Sequence, residues 1–301
     1  VQYLVLWGLY LLRAWRYPRR FFGDMVEHAR GAGYFTMVAA TGIMASQCIV
    51  LLDNLGLGFA LWALAALLWL LLTYTIFTAF TIRRDKPTLD KGISGAWLLA
   101  VVSTQALAVC SALLAARIGQ PLRLELNLLA LSMWLWGGML YIWMMSLIFY
   151  RYTFFTLEPG DLSPPYWINM GAMAISTLAG SLLILNSGDA PFLQSLLPFI
   201  KGFTVFYWAT GTWWIPMLLL LGVWRHVVRR FPLKYDPLYW GAVFPLGMYA
   251  ASTHLMIDAL DLEFLHFLPP VFLVIALAAW GAAFGGLAHD LARRARGVLR
   301  R

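Results

Sequence analysis

Long apolar stretches separated by short polar gaps follow one another along the whole chain. A helix needs roughly 20 apolar residues to cross a hydrocarbon core of about 30 Å. The gaps carry Gly, Pro and charged residues, so we expect consecutive helices to pack as antiparallel hairpins. The pattern predicts an all-α polytopic membrane protein with a single transmembrane domain over residues 1–301. The stretches lie at residues 1–17, 33–53, 57–82, 92–116, 124–150, 166–187, 196–224, 237–258 and 267–290.

The composition agrees with this pattern. Of the 301 residues, 61% are hydrophobic and 12% are charged, whereas a soluble domain carries about 25% charged residues. Cys48 and Cys110 lie inside apolar stretches, and the five histidines show no spacing typical of a metal or haem site. We therefore predict no disulfide, no metal site and no cofactor.

The positive charges lie in alternate gaps. Because cations accumulate on the cytoplasmic side of a membrane protein, this alternation predicts a plasma-membrane protein with a cytoplasmic C-terminus. The net charge of +8 then belongs to helix rims that face anionic lipid, and we expect no nucleic-acid partner. The basic gaps hold Arg13, Arg16, Arg19, Arg20, Arg30, Arg83, Arg84, Lys86, Lys91, Arg151, Arg225, Arg229, Arg230, Lys234, Arg293, Arg294, Arg296, Arg300 and Arg301. The other gaps hold Arg117, Arg123 and Lys201.

The same alternation has a consequence for the first stretch. Counting back from a cytoplasmic C-terminus places residues 13–30 in the cytoplasm and Val1 on the outer side. The apolar run before Arg13 has only twelve residues, which is short for a membrane span. We therefore expect a further helix upstream of Val1.

The stretches alternate between two kinds of side chain. Every second stretch, beginning with 33–53, is rich in small and hydroxyl residues, whereas the stretches between them are heavier in Leu, Trp and Phe. Small and polar residues suit a wet cavity, and bulky residues suit lipid. We expect an inner and an outer ring of helices around a central pore; tight packing through small residues is the alternative. The candidate pore-lining residues are Thr36, Thr41, Gly42, Ser103, Thr104, Asn169, Gly171, Ser176, Gly247 and Thr253.

Proline interrupts two of the small-residue stretches. Pro164 and Pro165 precede one of them, and Pro245 follows Phe244 inside another. Proline removes a backbone donor and clashes with the carbonyl four residues back, so it kinks a helix and exposes that carbonyl. Such backbone can serve a permeating solute where it lines a cavity; a purely structural kink is the alternative. No Lys or Arg lies in the middle of these stretches, so a channel or low-affinity carrier for anions is favoured over a tight-binding pump.

One pair of titratable residues lies at the outer end of a small-residue stretch. His254 and Asp258 are four residues apart, about one helical turn, and can form a pair that couples protons to transport. A solvated mouth is the alternative. Asp258 and Asp261 also form a D-x-x-D pattern, but without a second acidic cluster it is weak evidence for metal–diphosphate chemistry.

Three segments carry a resemblance to a known family. They are GYFTMVAATGIMAS (33–46), SPPYWINMGAMAISTLAGS (163–181) and WGAVFPLGMYAAST (240–253). The chain resembles, over essentially its whole length, the tellurite-resistance/C4-dicarboxylate transporter family, which includes malic-acid transporters and plant slow anion channels. The resemblance implies ten helices in five hairpins around a pore, with the first helix absent here, and assembly as a homotrimer. It also implies that a phenylalanine, Phe244 beside Pro245, blocks the pore.

These features predict an integral membrane anion channel or transporter, and no enzyme. It would pass small inorganic or organic anions, of the C4-dicarboxylate, sulfite/tellurite or halide class, through a neutral pore gated by Phe244. A proton-coupled dicarboxylate or oxyanion exporter is the alternative. A membrane-embedded enzyme would need titratable residues clustered in one leaflet, which the sequence does not show. A non-transporting subunit is a third possibility, and the sequence leaves the anion open.

Overall fold

The computed structural model describes residues 1–299, with side chains described as far as Arg296. Within these residues every regular element is helical and no strand occurs, so the predicted all-α fold is confirmed. Arg300 and Arg301, which end the predicted arginine cluster, lie outside the described residues. The α-helices are α1 (Gln2–Arg16), α2 (Pro18–Met25), α3 (Phe35–Val50), α4 (Leu55–Ile82), α5 (Leu89–Gly92), α6 (Leu99–Arg117), α7 (Leu122–Phe154), α8 (Ile168–Leu185), α9 (Pro191–Ser195), α10 (Leu197–Val223), α11 (Trp240–Leu260) and α12 (Leu268–Leu299).

Each predicted apolar stretch coincides with one long helix of the described chain. Seven helical runs are long and apolar enough to cross a membrane, and they contain α3, α4, α6, α7, α8, α10 and α12. Helix α1 is not among them; its 15 residues span only about 22 Å. Helix α11 is not among them either, and it carries Ser252, Thr253, His254 and Asp258. The short helices α2, α5 and α9 occupy gaps between stretches.

Burial is highest in two inner helices and lowest in three outer helices, while the runs that contain α3 and α7 lie between them, each 50% buried. In the most apolar part of the runs that contain α6 and α8, 89% and 83% of the residues are buried; the corresponding values for α4, α10 and α12 are 17%, 22% and 11%. Helices α3, α6, α8 and α11 pack on one another in that order, and each pairs with the next long helix, respectively α4, α7, α10 and α12. The expected inner and outer rings of hairpins are therefore confirmed.

All four inner helices begin in the same way. A 3₁₀ turn precedes each of them, at Gly31–Tyr34, Gly95–Leu98, Pro164–Trp167 and Pro237–Tyr239, and consecutive turns pack against one another. The inner helices therefore start at one end of the bundle and run parallel. We call this end, which also holds the basic gaps of the sequence, the basic end. Because a helix N-terminus carries about half a positive charge, the four helix starts add to the positive potential there.

Close contact between the inner helices depends on glycine. A Cβ atom on Gly171 of α8 would lie 2.7 Å from Cγ of Pro245 in α11, and one on Gly42 of α3 would lie 3.1 Å from Cβ of Ala106 in α6. Any larger residue at position 171 would therefore push α8 and α11 apart. The small residues of these stretches allow close helix packing, which was the alternative interpretation of the sequence. This packing occurs between helices of the inner ring.

A histidine lies beside basic residues in the loop between α2 and α3. The ring of His28 stacks on that of Phe80, with their centroids 4.2 Å apart. Burial first, and then the charges of Arg83 and Lys86, lower the pKa of His28 below its usual value of 6.5. The folded chain therefore favours the neutral imidazole at neutral pH.

We expect protonation of His28 to destabilise the fold modestly, because the ring is only partly buried. A histidine with a lowered pKa takes up its proton preferentially in the unfolded chain, so its contribution is present above about pH 6.5 and is lost as the pH falls through the folded pKa. Between about pH 7 and about pH 5 the unfolding temperature of the wild type in detergent should fall further than that of His28→Phe, which keeps the stacked ring. An equal fall in both proteins would contradict this prediction.

Candidate anion pathway

A cavity of about 470 Å³ lies at the centre of the bundle. The residues that line it come from α3 and the residue that follows it, and from α6, α8 and α11. Their spacing of three or four residues shows that each helix presents one face to the cavity. On α6, α8 and α11 they are Ala106, Val109, Leu113, Ile175, Leu178, Leu182, Met248, Ala251, His254 and Leu255.

The cavity occupies only the half of the bundle that lies away from the basic end. It is lined by the later turns of every inner helix, from Gly42 on α3 and from Met248 on α11. Towards the basic end the inner helices close against each other: Val38 and Val102 are buried, and Gly171 packs on Pro245. The cavity is therefore closed by packed helices on the side of the basic end, and we call this closed side its floor.

The wall of the cavity is mainly aliphatic. Its polar side chains are Ser46 and Gln47 of α3 and His254 of α11, and the Ser46 hydroxyl already donates to the Gly42 carbonyl at 2.9 Å. Among the described residues, no Lys, Arg, Asp or Glu lines it. An ion that enters this cavity gives up hydration without gaining a fixed countercharge.

Phe244 and Pro245 lie next to the floor of the cavity. Phe244 is four residues before Met248, so both belong to one face of α11, and its side chain is partly buried against the core. Pro245 is buried inside α11, where it leaves the Gly241 carbonyl without its intrahelical donor. The structure thus places an aromatic side chain one helical turn below the open part of the cavity.

Two predicted lining residues instead fasten the inner ring to the outer ring. The Thr104 hydroxyl accepts the indole N–H of Trp69 at 2.8 Å, and the Thr253 hydroxyl accepts that of Trp208 at 3.0 Å. Both threonines are fully buried. A tryptophan N–H inside a membrane protein needs an acceptor, and these hydroxyls supply it. Thr104 and Thr253 therefore face outer helices in this structure.

The other buried hydroxyls of the candidate set are satisfied within their own helices. Ser103 donates to the Ala100 carbonyl at 2.9 Å and Ser176 donates to the Ala172 carbonyl at 2.8 Å. Thr41 donates to the Met37 carbonyl at 2.7 Å, and its oxygen lies 3.0 Å from the Tyr3 hydroxyl of α1. None of these three side chains lines the central cavity.

The remaining candidates divide between the cavities and helix contacts. Gly42 lines the central cavity, and Thr36 lines a second cavity of about 600 Å³ between α1 and α3. Gly247 faces Ala276 of α12. Asn169 is fully buried, with its amide nitrogen 3.4 Å from the Tyr152 hydroxyl. Gly171 contacts Pro245, as described above.

His254 and Asp258 come together at the mouth of the cavity. Nε2 of His254 lies 4.0 Å from Oδ2 of Asp258, and their side chains are 63% and 48% exposed. Of the two, only His254 lines the cavity. Asp261, the second acidic residue of the D-x-x-D pattern, begins a left-handed turn after α11.

Gln47 of the cavity wall and Arg151 at the basic end are two residues that were not among the candidates drawn from the sequence. Gln47 lines both the central cavity and the cavity beside α1, because it lies on the edge between the two faces of α3. Arg151, counted above as a residue of a gap, is a buried residue in the last turn of α7. It donates to the Ile93 carbonyl at 3.3 Å and to the Tyr166 hydroxyl, and so ties α7 to the starts of two inner helices. The sequence signal that could have identified Arg151 is its position at the end of a long apolar stretch.

Paired hairpins of apolar helices around a neutral, uncharged cavity define a membrane channel or carrier. The chain belongs to the SLAC1 family of voltage-dependent anion channels, whose family model matches residues 1–288. Because that family includes anion channels and transporters, the resemblance found in the sequence is confirmed.

Individual relatives agree with this assignment. An uncharacterized membrane protein of Mycobacterium tuberculosis is 39% identical over 153 residues, which cover 51% of this chain and 77% of that protein. Two uncharacterized transporters of Methanocaldococcus jannaschii are each 24% identical, over 88% and 84% of this chain and 75% and 70% of their own lengths. The chain is thus similar to transporters along most of its length.

Proposed function

We propose that the chain passes small anions through the central cavity and that Phe244 gates this path. The observation that carries the proposal is the position of Phe244 on the cavity-lining face of α11, one turn below Met248. An aromatic side chain there displaces water from a path that is already poor in polar groups. It thereby raises the desolvation barrier for any ion.

The electrostatics of the bundle favour anions over cations. Four inner helices present their positive N-terminal ends at the basic end. In the described part of the chain, the cavity wall carries no carboxylate that would hold a cation. An anion is therefore drawn towards the basic end, and beyond the packed floor it meets a neutral cavity.

The chemistry of the wall favours weakly hydrated monovalent anions. Of the described lining side chains, only Ser46, Gln47 and His254 are polar, so most of the lost hydration is not replaced. Because the cost of desolvation rises steeply with charge, a dicarboxylate or sulfite dianion meets a higher barrier than nitrate or a halide. We therefore propose the halide and nitrate class as substrate.

The orientation and assembly follow as further proposals. The basic end faces the cytoplasm of a plasma-membrane protein, which places the C-terminus inside. A homotrimer rests on the family resemblance, and the mass of the detergent-solubilised assembly tests it.

Flux through proteoliposomes tests the proposed function. We expect anion flux to exceed potassium flux, and nitrate, iodide and chloride to pass at least about tenfold faster than sulfate or malate, because a divalent ion costs more to desolvate. Reversal potentials with substituted anions measure this order. Faster passage of malate than chloride would contradict the proposed substrate class.

A proton-coupled exporter is the second candidate, and the closeness of His254 to Asp258 at the cavity mouth favours it. Such a protein would require a pH gradient for flux, and its flux would fail when His254 or Asp258 is replaced, as in His254→Gln. Flux that follows the anion gradient alone, with His254→Gln unaffected, would exclude this candidate in favour of the channel.

A further inference from the structure

A separate cavity of about 400 Å³ opens on the side of the bundle at the basic end. It lies between the last turns of α10, the 3₁₀ turn Pro164–Trp167 and the first turns of α11. Leu219, Val223 and Val227 form part of its rim and are each more than half exposed. This cavity therefore faces the surface that α10 presents to lipid. It shares no lining residue with the central cavity.

The wall of this lateral cavity is apolar along most of its length. Leu162, Trp167, Leu218, Gly222 and Leu233 contribute to it. Its cation is Arg225, which lies just beyond the end of α10 next to His226. A mainly apolar wall that includes an arginine matches a ligand that has an apolar tail and an anionic head.

Arg225 is held in place with part of its donor capacity unused. Its guanidinium donates to the Leu162 carbonyl and lies over the Phe231 ring, 4.4 Å from the centroid. Its Nε is buried and has no hydrogen-bond partner among the described residues. Because a guanidinium has five N–H donors, the hydrogen bond to Leu162 leaves donors for a further acceptor, and a phosphate oxygen suits them.

The backbone around Arg225 is also unusual. Residues 224–228 form a π-helical turn, in which the Arg229 amide donates to the Trp224 carbonyl at 2.8 Å. Single π-turns inside or at the end of α-helices are rare and are frequent at functional sites. Here the turn lies where α10 ends and two exposed arginines, Arg229 and Arg230, follow.

We propose that the lateral cavity binds an anionic phospholipid, with the phosphate on Arg225 and the first part of an acyl chain along the wall formed by Leu218 and Gly222. The charge of Arg225 complements the phosphodiester, and Arg229 and Arg230 add positive potential near the headgroup. The exposed rim gives a lipid direct access from the bilayer. The site is independent of the central cavity, so it does not depend on the proposed function.

Binding to defined lipids tests this proposal. Delipidated protein in detergent is titrated with phosphatidylglycerol or with phosphatidylcholine of the same acyl chains, and bound lipid is counted by native mass spectrometry. Wild type should retain one phosphatidylglycerol per protomer more tightly than phosphatidylcholine. Arg225→Gln should weaken that retention by about tenfold, the loss expected for one charge-assisted hydrogen bond.

A second variant separates lipid binding from any effect of Arg225 on folding. A Cβ added at Gly222 meets no atom within 4 Å, so Gly222→Phe fills the cavity without displacing backbone and leaves Arg225 in place. We expect it to reduce phosphatidylglycerol retention as well. Gly202, also on α10 and also in open space, gives the matched control Gly202→Phe. Arg293→Gln is the control for charge, because it removes one exposed cation at the same end.

Three results would overturn the proposal. One is wild-type retention in both Arg225→Gln and Gly222→Phe, and another is equal loss in the two control variants. The third is complete displacement of phosphatidylglycerol by millimolar inorganic phosphate, which would show that a soluble anion and not a lipid occupies the cavity.

Discussion

Phe244→Ala should increase the anion conductance of the reconstituted protein by at least about tenfold, which corresponds to a barrier lowered by about 1.4 kcal/mol or more. Phe244 lies one helical turn before Met248 of the cavity wall, on the side where the four inner helices close. Its removal lets water follow the ion through the floor, so that less hydration is lost. Phe244→Leu should give a smaller increase, because it leaves part of the apolar bulk. Single-channel or flux recordings in liposomes measure both.

The same truncation on an outer helix controls for the loss of an aromatic side chain. Phe272 of α12 packs on Tyr249, with ring centroids 4.4 Å apart, and does not line the central cavity. Phe272→Ala should leave conductance at the wild-type level. Because Phe244 is only partly buried, its truncation should cost less than the about 3–5 kcal/mol of a fully buried phenylalanine. Wild-type conductance in a correctly folded Phe244→Ala protein would show that the gate lies elsewhere.

Ala251→Glu should abolish anion flux. Ala251 lines the cavity two residues from Thr253, and its small side chain leaves the path open. A carboxylate about 4 Å from a passing anion repels it by about 4 kcal/mol at an effective dielectric constant of about 20, so we expect a reduction of at least about hundredfold. The measurement is best made both alone and combined with Phe244→Ala, where the starting flux is high.

Ala251→Gln provides the matched control, because it adds almost the same volume without the charge. We expect Ala251→Gln to reduce flux only through its size, and therefore far less than Ala251→Glu. Similar flux in the two variants would show that anions do not pass this wall. In that case the cavity between α1 and α3, which shares Gln47 with the central cavity, becomes the next path to test.

Much of the fold was predictable because the membrane imposes it. Apolar length predicts each long helix, since a backbone in hydrocarbon must satisfy its own hydrogen bonds. The alternation of small and bulky stretches predicts the inner and outer rings, since bulky side chains suit lipid and small ones suit close contact. The 3₁₀ turns before α3, α6, α8 and α11 were not predicted, because a tight first turn and an ordinary helical start have similar sequences.

The site was predictable only in part, because a helix that is buried all round has no apolar stripe to orient it. Nearly every side chain of α6 is buried, so the sequence could not distinguish the face with Ala106 from the face with Thr104. The tryptophans of the outer helices help to determine which face of an inner helix lines the cavity. An indole N–H that an outer helix turns towards the inner ring needs an acceptor there, and Trp69 and Trp208 take Thr104 and Thr253 out of the cavity wall.

The sequence by itself determined the class of protein, the approximate positions of its long helices in the described chain, and which of them form the inner ring. These properties follow from the partition of side chains between lipid and water, which composition and spacing record directly. Only the tertiary structure decided which face of each inner helix lines the cavity, that the wall is aliphatic, and that Phe244 lies beneath it. Those features depend on how neighbouring helices rotate to satisfy Trp69 and Trp208 and to fit Gly171 against Pro245, and such contacts join residues far apart in the chain.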